Sequence, residues 1–320
     1  MAIVQGGNDK CSCDDPLEAI SHAEQVGWMN AHKLNKKTIL DAKNDVDVAF
    51  LGDGTMEEWE GRWLGHESEA FRHTNSIFRK FFSKDHGGKY EGVSLGIAGD
   101  TTPNILWRIQ HGELPPHFHP RVWWISMGAN DLGRTGCSEE VVLMGILRII
   151  EEIQLQRPKH TKIVVNAILP TNAKAKERLV QPPPLGTKTD RHDYDHNSKG
   201  GPNVDDGTVW YKSQTPKKRM PTHIHRTKEK DLMPSIRSIN NELHKFCEKH
   251  EDVIYFDASE VILKREDGDY KDGVDGLLVD PNMLRDGLHP NAIATKLWFQ
   301  KIVKKLDNIF LTRLSGESEE

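Results

Sequence analysis

Val46-Asp47-Val48-Ala49-Phe50-Leu51, closed by Gly52-Asp53-Gly54, is the stretch on which the fold turns. A short, mostly apolar run that stops at a glycine-flanked turn has the pattern of a strand buried on both faces. The same event recurs three times. Val93-Ser94-Leu95-Gly96-Ile97 stops at Ala98-Gly99-Asp100, and Val122-Trp123-Trp124-Ile125-Ser126-Met127 stops at Gly128-Ala129-Asn130-Asp131. Ile163 to Leu169 stops at Pro170-Thr171-Asn172. Helical periodicity follows three of these runs. It is clearest over Glu139 to Gln154, where Val142, Ile146, Ile149, Ile150 and Ile153 fall on one face. Val253-Ile254-Tyr255-Phe256 supplies a fifth strand after a helix near Pro234 to Lys249. Strands alternating with helices at this spacing predict an α/β fold, a three-layer α/β/α sandwich on a parallel five-stranded, flavodoxin-like sheet.

Outward from that frame, the first fifteen residues are polar and read as a loose tail. Pro16 opens a helical pattern through Leu17 to Glu24, and a second helix is expected over Asn30 to Lys43. Residues 1–45 thus form a tail and helical extension, while 46–172 and 231–312 make one domain. Residues 173–230, with Pro182-Pro183-Pro184, Gly200-Gly201 and many charges, read as a loop insertion and candidate lid; 313–320 is an acidic tail.

Composition narrows the function. With 36% hydrophobic and 28% charged residues, the chain can bury a core under a very polar surface, and a net charge of −5 gives no reason to expect nucleic acid. No apolar run approaches the roughly 20 residues that span a bilayer. The N-terminus has neither the basic start nor the apolar centre of a secretory leader, so a cytoplasmic protein is expected. Cys11, Cys13, Cys137 and Cys247 fit neither a zinc site nor the usual redox pair and read as reduced thiols.

In open parallel sheets, sites form outside the carboxyl ends of the strands. That rule gathers Gly54, Gly99 and Asn130 at one rim, with Asp286-Gly287-Leu288-His289-Pro290 as a late contribution. Each suits acyl transfer. The tip of the first strand can project a nucleophile, while the Gly99 backbone N–H and the Asn130 amide can meet an oxyanion. His289 can serve as base with Asp286 as its orienter. Singly, each has a plainer use: Gly99 as a turn glycine, Asn130-Asp131 as a cap for the helix near Ser138, Asp286 and Pro290 as a helix entry.

Together the blocks resemble those of the SGNH (GDSL) hydrolases, and most of all the alpha subunits of intracellular platelet-activating-factor acetylhydrolase. The similarity is carried by Gly27-Trp28-Met29-Asn30-Ala31-His32, Asp47 to Asp53, and Gly96-Ile97-Ala98-Gly99-Asp100-Thr101-Thr102 with Ile105-Leu106-Trp107-Arg108. It implies hydrolysis of a short acyl ester or lipid-like ester, without cofactor or metal, by a protein that forms dimers and associates with a WD-repeat partner. It assigns Gly99 and Asn130 to the oxyanion hole, Asp286 and His289 to the base, and Gly54 to the nucleophile. There the family carries serine, and glycine has no atom to attack with. Three readings follow. The chain is an inactive or redirected relative that binds an acyl ligand or a partner; or Thr55 supplies the hydroxyl; or Gly54 replaces the serine of a working parent enzyme. Asp53 and Asp100 are expected to orient loops, Trp107 to pack and Arg108 to form a surface ion pair. His192, His196, His223 and His225 read as chance neighbours rather than metal ligands.

Overall fold

The computed structural model describes residues 13–42, 45–158, 160–172, 231–265 and 277–316. Five parallel strands make the central sheet: β1 (Val48–Gly52), β2 (Gly92–Gly96), β3 (Val122–Ser126), β4 (Lys162–Asn166) and β5 (Val253–Phe256). Their spatial order is β2-β1-β3-β4-β5, with β1 paired to both β2 and β3 in register from Val48 onward. The strand order therefore reverses at β1, and the crevice above its carboxyl end is where such sheets hold ligands.

Among the described residues, eight α-helices complete the layers: α1 (Trp28–Asp41), α2 (Gly54–Trp59), α3 (Glu69–Phe82), α4 (Thr102–Arg108), α5 (Ala129–Gly133), α6 (Glu139–Gln156), α7 (Met233–Cys247) and α8 (Ala292–Gly316). Alternation along the strands sorts the core. Ala49, Leu51, Trp123, Ile125, Ile163 and Val165 face one way and pack with Ile105 and Leu106 of α4, Ile146 and Ile149 of α6, and Ile236 and Ile239 of α7. Val48, Phe50, Val122, Trp124 and Val164 face the other way, onto Met56 and Trp59 of α2, Phe78 and Phe82 of α3, and Trp298 and Phe299 of α8. Because both faces are covered, apolar residues fall at consecutive positions in the strands, as in Val48-Ala49-Phe50-Leu51 and Ile163-Val164-Val165, rather than at alternate ones.

Three expectations change. Residues 16–24 form turns rather than a helix, with Ile20 exchanging hydrogen bonds with Pro103 and Asn104 instead of continuing a helical ladder. The final helix runs through Gly316, four residues into the stretch assigned to the tail. Cys13 and Cys137 are joined as a disulfide across 124 residues of sequence, so they are not reduced thiols; Cys247 is free and buried. The partner of Cys13 is supplied by tertiary folding, which spacing cannot reveal. The insertion at 173–230 and its histidines lie outside the described residues. Among the described residues no helix is long and apolar enough to cross a membrane.

Candidate active site

The turn after β1 sets the site. Asp53 caps α2, its carboxylate accepting the Thr55 N–H at 3.1 Å, and Gly54 begins the helix, buried. Burial pushes the Asp53 carboxyl up, opposed by the Thr55 backbone N–H and by the nearby charge of His289.

What stands over Gly54 is crowded. A Cβ added there would lie 3.1 Å from Ala98 Cα and 3.2 Å from the Trp63 ring. Trp63 comes from a two-residue antiparallel ribbon, Arg62–Trp63 with His66–Glu67, and stacks on Phe71 at 5.7 Å between ring centres. Glu57 fixes this arrangement from below. One of its carboxylate oxygens accepts the Ala98 N–H at 2.8 Å and the other the Gly65 N–H at 2.7 Å. Burial pushes the Glu57 carboxyl up, against the pull of those N–H groups.

Gly99 follows β2 with φ of 82°, a left-handed conformation that favours glycine. Its carbonyl accepts from the Arg134 guanidinium, which lies 2.7 Å from the place a Cβ would take. Asn130, in α5, donates its amide to the Asp100 carbonyl at 2.9 Å and reaches Asp53 Oδ2 at 3.5 Å. It therefore links the turns after β1 and β2. Neither Asn130 nor Asp131 caps α6. Ser138 does, while Asp131 accepts from the Thr102 N–H and hydroxyl.

His289 enters on the loop before α8. Its Nδ1 lies 2.7 Å from Asp286 Oδ2, and Asp286 Oδ1 accepts the backbone N–H groups of Leu288 and His289. The loop is pinned at Gly287, whose carbonyl accepts from the Thr171 hydroxyl and the Asn172 N–H beyond β4. Pro290 bridges to Leu284 rather than starting the helix, and Asn291 caps α8 by accepting from Ile293 and Ala294. The His289 ring meets the edge of Trp63 at 6.1 Å. One indole thus touches both the imidazole and the space over Gly54. Arg285 pairs with buried Glu58 at 2.7 Å and lies over Phe71, closing the wall behind His289.

Beneath the rim is a buried charge network that overturns the surface role expected of Arg108. Its guanidinium is fully enclosed, 2.7 Å from Asp100, 2.6 Å from Glu113, and 2.7 Å from the Gly52 carbonyl that ends β1. Trp28 Nε1 donates to the other Asp100 oxygen, and His32 meets Glu113 at 2.7 Å. Burial pushes the Asp100 carboxyl up to about 7, against the attraction of Arg108.

All five residues singled out in the sequence stand at the carboxyl end of the sheet or on the loop beside it. Glu57, Glu58, Trp63, Arg134 and Arg285 were not anticipated. Glu57 and Glu58 shared a signal, as adjacent carboxylates on a short helix that also carries Met56 and Trp59.

Comparison with known proteins agrees with this architecture. The chain is 31% identical over 144 residues to platelet-activating factor acetylhydrolase IB subunit alpha1 of Bos taurus, covering 45% of this chain and 51% of the relative. It is 32% identical over 173 residues to subunit alpha2 of Rattus norvegicus, covering 54% and 63%. The chain is a homologue of these subunits. The matched region spans between half and two thirds of their length. A GDSL-like lipase from Bacteroides thetaiotaomicron superposes with a TM-score of 0.53 at 15% identity, over 87% of this chain and 98% of the other, so the fold is that of the GDSL hydrolases. No family model matches.

Proposed function

We propose that this chain binds carboxylic esters of short acyl groups, or the acids they release, at a GDSL-type site that has kept its base and lost the covalent route. The supporting observation is the Asp286–His289 pair, held at 2.7 Å beside a strand tip that offers no side chain. Without a nucleophile, turnover falls to water activated by His289, and a triad so depleted retains on the order of 10³–10⁴-fold acceleration over water. A serine-like role for Thr55 is disfavoured because it lies one position further round the turn than Gly54 and is β-branched and stiff. Gly99 and Asn130 are the oxyanion donors in this reading. The Asn130 amide must give up its contact with Asp53, the longer of its two bonds, to serve.

Stopped-flow hydrolysis of p-nitrophenyl acetate tests the reading. The expected trace is linear, without the burst that an accumulating acyl-enzyme produces, and His289→Ala abolishes what turnover there is. A burst, or an acetylated residue found by mass spectrometry, would sink it. If acetate and short esters leave the melting temperature unchanged, the chain is instead a structural or partner-binding subunit. A homodimer, a protein partner and a cytoplasmic address belong to the same proposal. Since disulfides persist mainly in oxidising compartments, cell fractionation is the check on the last.

A further inference from the structure

The loop that carries His289 is a small closed turn. The Arg285 N–H donates to the His289 carbonyl at 2.9 Å, Leu284 bridges Pro290, and Asp286 accepts the Leu288 and His289 N–H groups from inside. The place of the imidazole therefore depends on how the turn as a whole is held. One hold is Gly287, tied beyond β4 by Thr171 and Asn172. A second comes from α2. Glu58 stands four residues after Gly54, on the same face of the helix, and its buried carboxylate accepts from Arg285 at 2.7 Å.

The Arg285 guanidinium also lies 4.9 Å from the Phe71 ring centre, Phe71 stacks on Trp63, and Trp63 meets His289 edge-on. Contacts thus run from Glu58 through Arg285, Phe71 and Trp63 to the imidazole. Holding the turn does not by itself require charge. Desolvation offsets much of the attraction in a buried ion pair, and apolar side chains of similar volume often serve as well. What this pair adds is a carboxylate beside a group that becomes cationic. Burial would lower the His289 pKa, but the charge of Glu58, with the bond and charge of Asp286, raises it, and Arg285 opposes them. Asp53, in the turn after β1, also feels the charge of the imidazole.

We propose that Glu58 is a positioning residue for the base: through Arg285 it holds the His289 turn against the helix that begins at Gly54, and it sets a second carboxylate beside the imidazolium formed in hydrolysis. This rests on the reading of His289 as the base of an ester site. The Asp286 carboxylate can only accept, so Nδ1 carries the ring proton and Nε2 the lone pair. Nε2 takes a proton from water as the water oxygen bonds to the acyl carbon. The imidazolium then returns a proton to the alcohol oxygen as the C–O bond breaks. Asp286 favours the charged ring by direct contact, and Glu58 through space.

NMR titration of the His289 ring in the full chain tests this, its signal identified by its loss in His289→Ala. Glu58→Gln removes the carboxylate and keeps Arg285. Glu58→Gln with Arg285→Gln removes both charges, leaves no buried ion unpaired, and serves where the single variant fails to fold. The expected midpoint is highest in the parent, lower in the double variant and lowest in Glu58→Gln, because Arg285 opposes Glu58. The limb of p-nitrophenyl acetate hydrolysis that rises with pH should move to lower pH in the same order, and the plateau rate of Glu58→Gln should fall several-fold. A pair that merely braces the turn would loosen it alike in both variants. Equal midpoints in the two variants, or a midpoint that either leaves at the parent value, overturn the proposal. The ordered midpoints in a chain that neither binds nor hydrolyses short esters uphold the placement of Glu58 and sink the ester reading, so the two fail separately.

Discussion

The Trp63 indole reaches within 3.2 Å of the point where a Cβ on Gly54 would stand, while Ala98 Cα closes the opposite side at 3.1 Å. The two neighbours are not equally able to yield. Ala98 presents backbone there, held by the Glu57 carboxylate through its N–H, whereas Trp63 presents a side chain from a short ribbon, stacked on Phe71.

Restoring a serine is therefore expected to need a second change. Gly54→Ser alone overpacks the turn and should cost about 1–3 kcal/mol of stability. Adding Trp63→Ala should raise kcat/KM on p-nitrophenyl acetate by about tenfold or more above Gly54→Ser, whereas Trp63→Ala alone gains nothing. A four-protein cycle of aryl-ester rates measures this. If Gly54→Ser by itself matches the double variant, the indole is no obstacle.

Arg108 offers a stability test. Arg108→Met nearly conserves volume but leaves the Asp100 and Glu113 carboxylates and the Gly52 carbonyl without their partner. Breaking a buried pair from one side costs about 3–5 kcal/mol. Urea unfolding should show that loss, and adding Asp100→Asn with Glu113→Gln should recover part of it. A variant as stable as the parent would mean that water reaches the network.

These two residues show where reading the sequence stops. The strands are legible because burial on both faces writes most of them as continuous apolar runs, Val48-Ala49-Phe50-Leu51 and Val122-Trp123-Trp124-Ile125 among them. The rim residues are legible because strand ends are marked by glycine and asparagine. Arg108 is not legible: its partners come from the turn after β2, the end of β1 and the kinked helical turn Ile109–Glu113 that follows α4, and one-dimensional spacing cannot distinguish that convergence from a surface charge. Trp63 is hidden for the same reason, its ribbon being two residues per strand and without periodicity. Pro16 to Glu24 misleads in the other direction. It has a helical pattern, but the hydrogen bonds at Ile20 go to Pro103 and Asn104.

The Cys13–Cys137 bond ties this N-terminal segment to the loop between α5 and α6. Closing a loop of this length restricts the unfolded chain by about 4–5 kcal/mol in the entropic account, and native cross-links commonly deliver about 2–4. Cys13→Ser and Cys137→Ser should each lower the unfolding free energy by that amount, and the double variant by no more than either. Additive losses would mean that the two sulfurs act separately.

The Asp286–His289 pair makes stability depend on pH in a definite sense. Burial would lower the His289 pKa, but the charge of Glu58 and the bond and charge of Asp286 outweigh it, so the folded value lies above 6.5 despite Arg285. Burial would raise the Asp286 carboxyl, but the His289 ring and two backbone N–H groups hold it below 3.8. A raised histidine stabilises fully below its unfolded value and loses that contribution as pH climbs through the folded one. A depressed carboxylate stabilises above its unfolded value and loses its contribution on acidification. Both are satisfied between about pH 4 and 6.5, on the ordinary side-chain values. Asp286→Asn removes the charge that links them, so the gap between parent and variant should be widest near pH 5.5, about 1–3 kcal/mol as for a charged hydrogen bond, and narrower at pH 9. Urea titrations at the two pH values measure it. A gap that widens toward pH 9 would mean that the folded protein holds His289 neutral across this range.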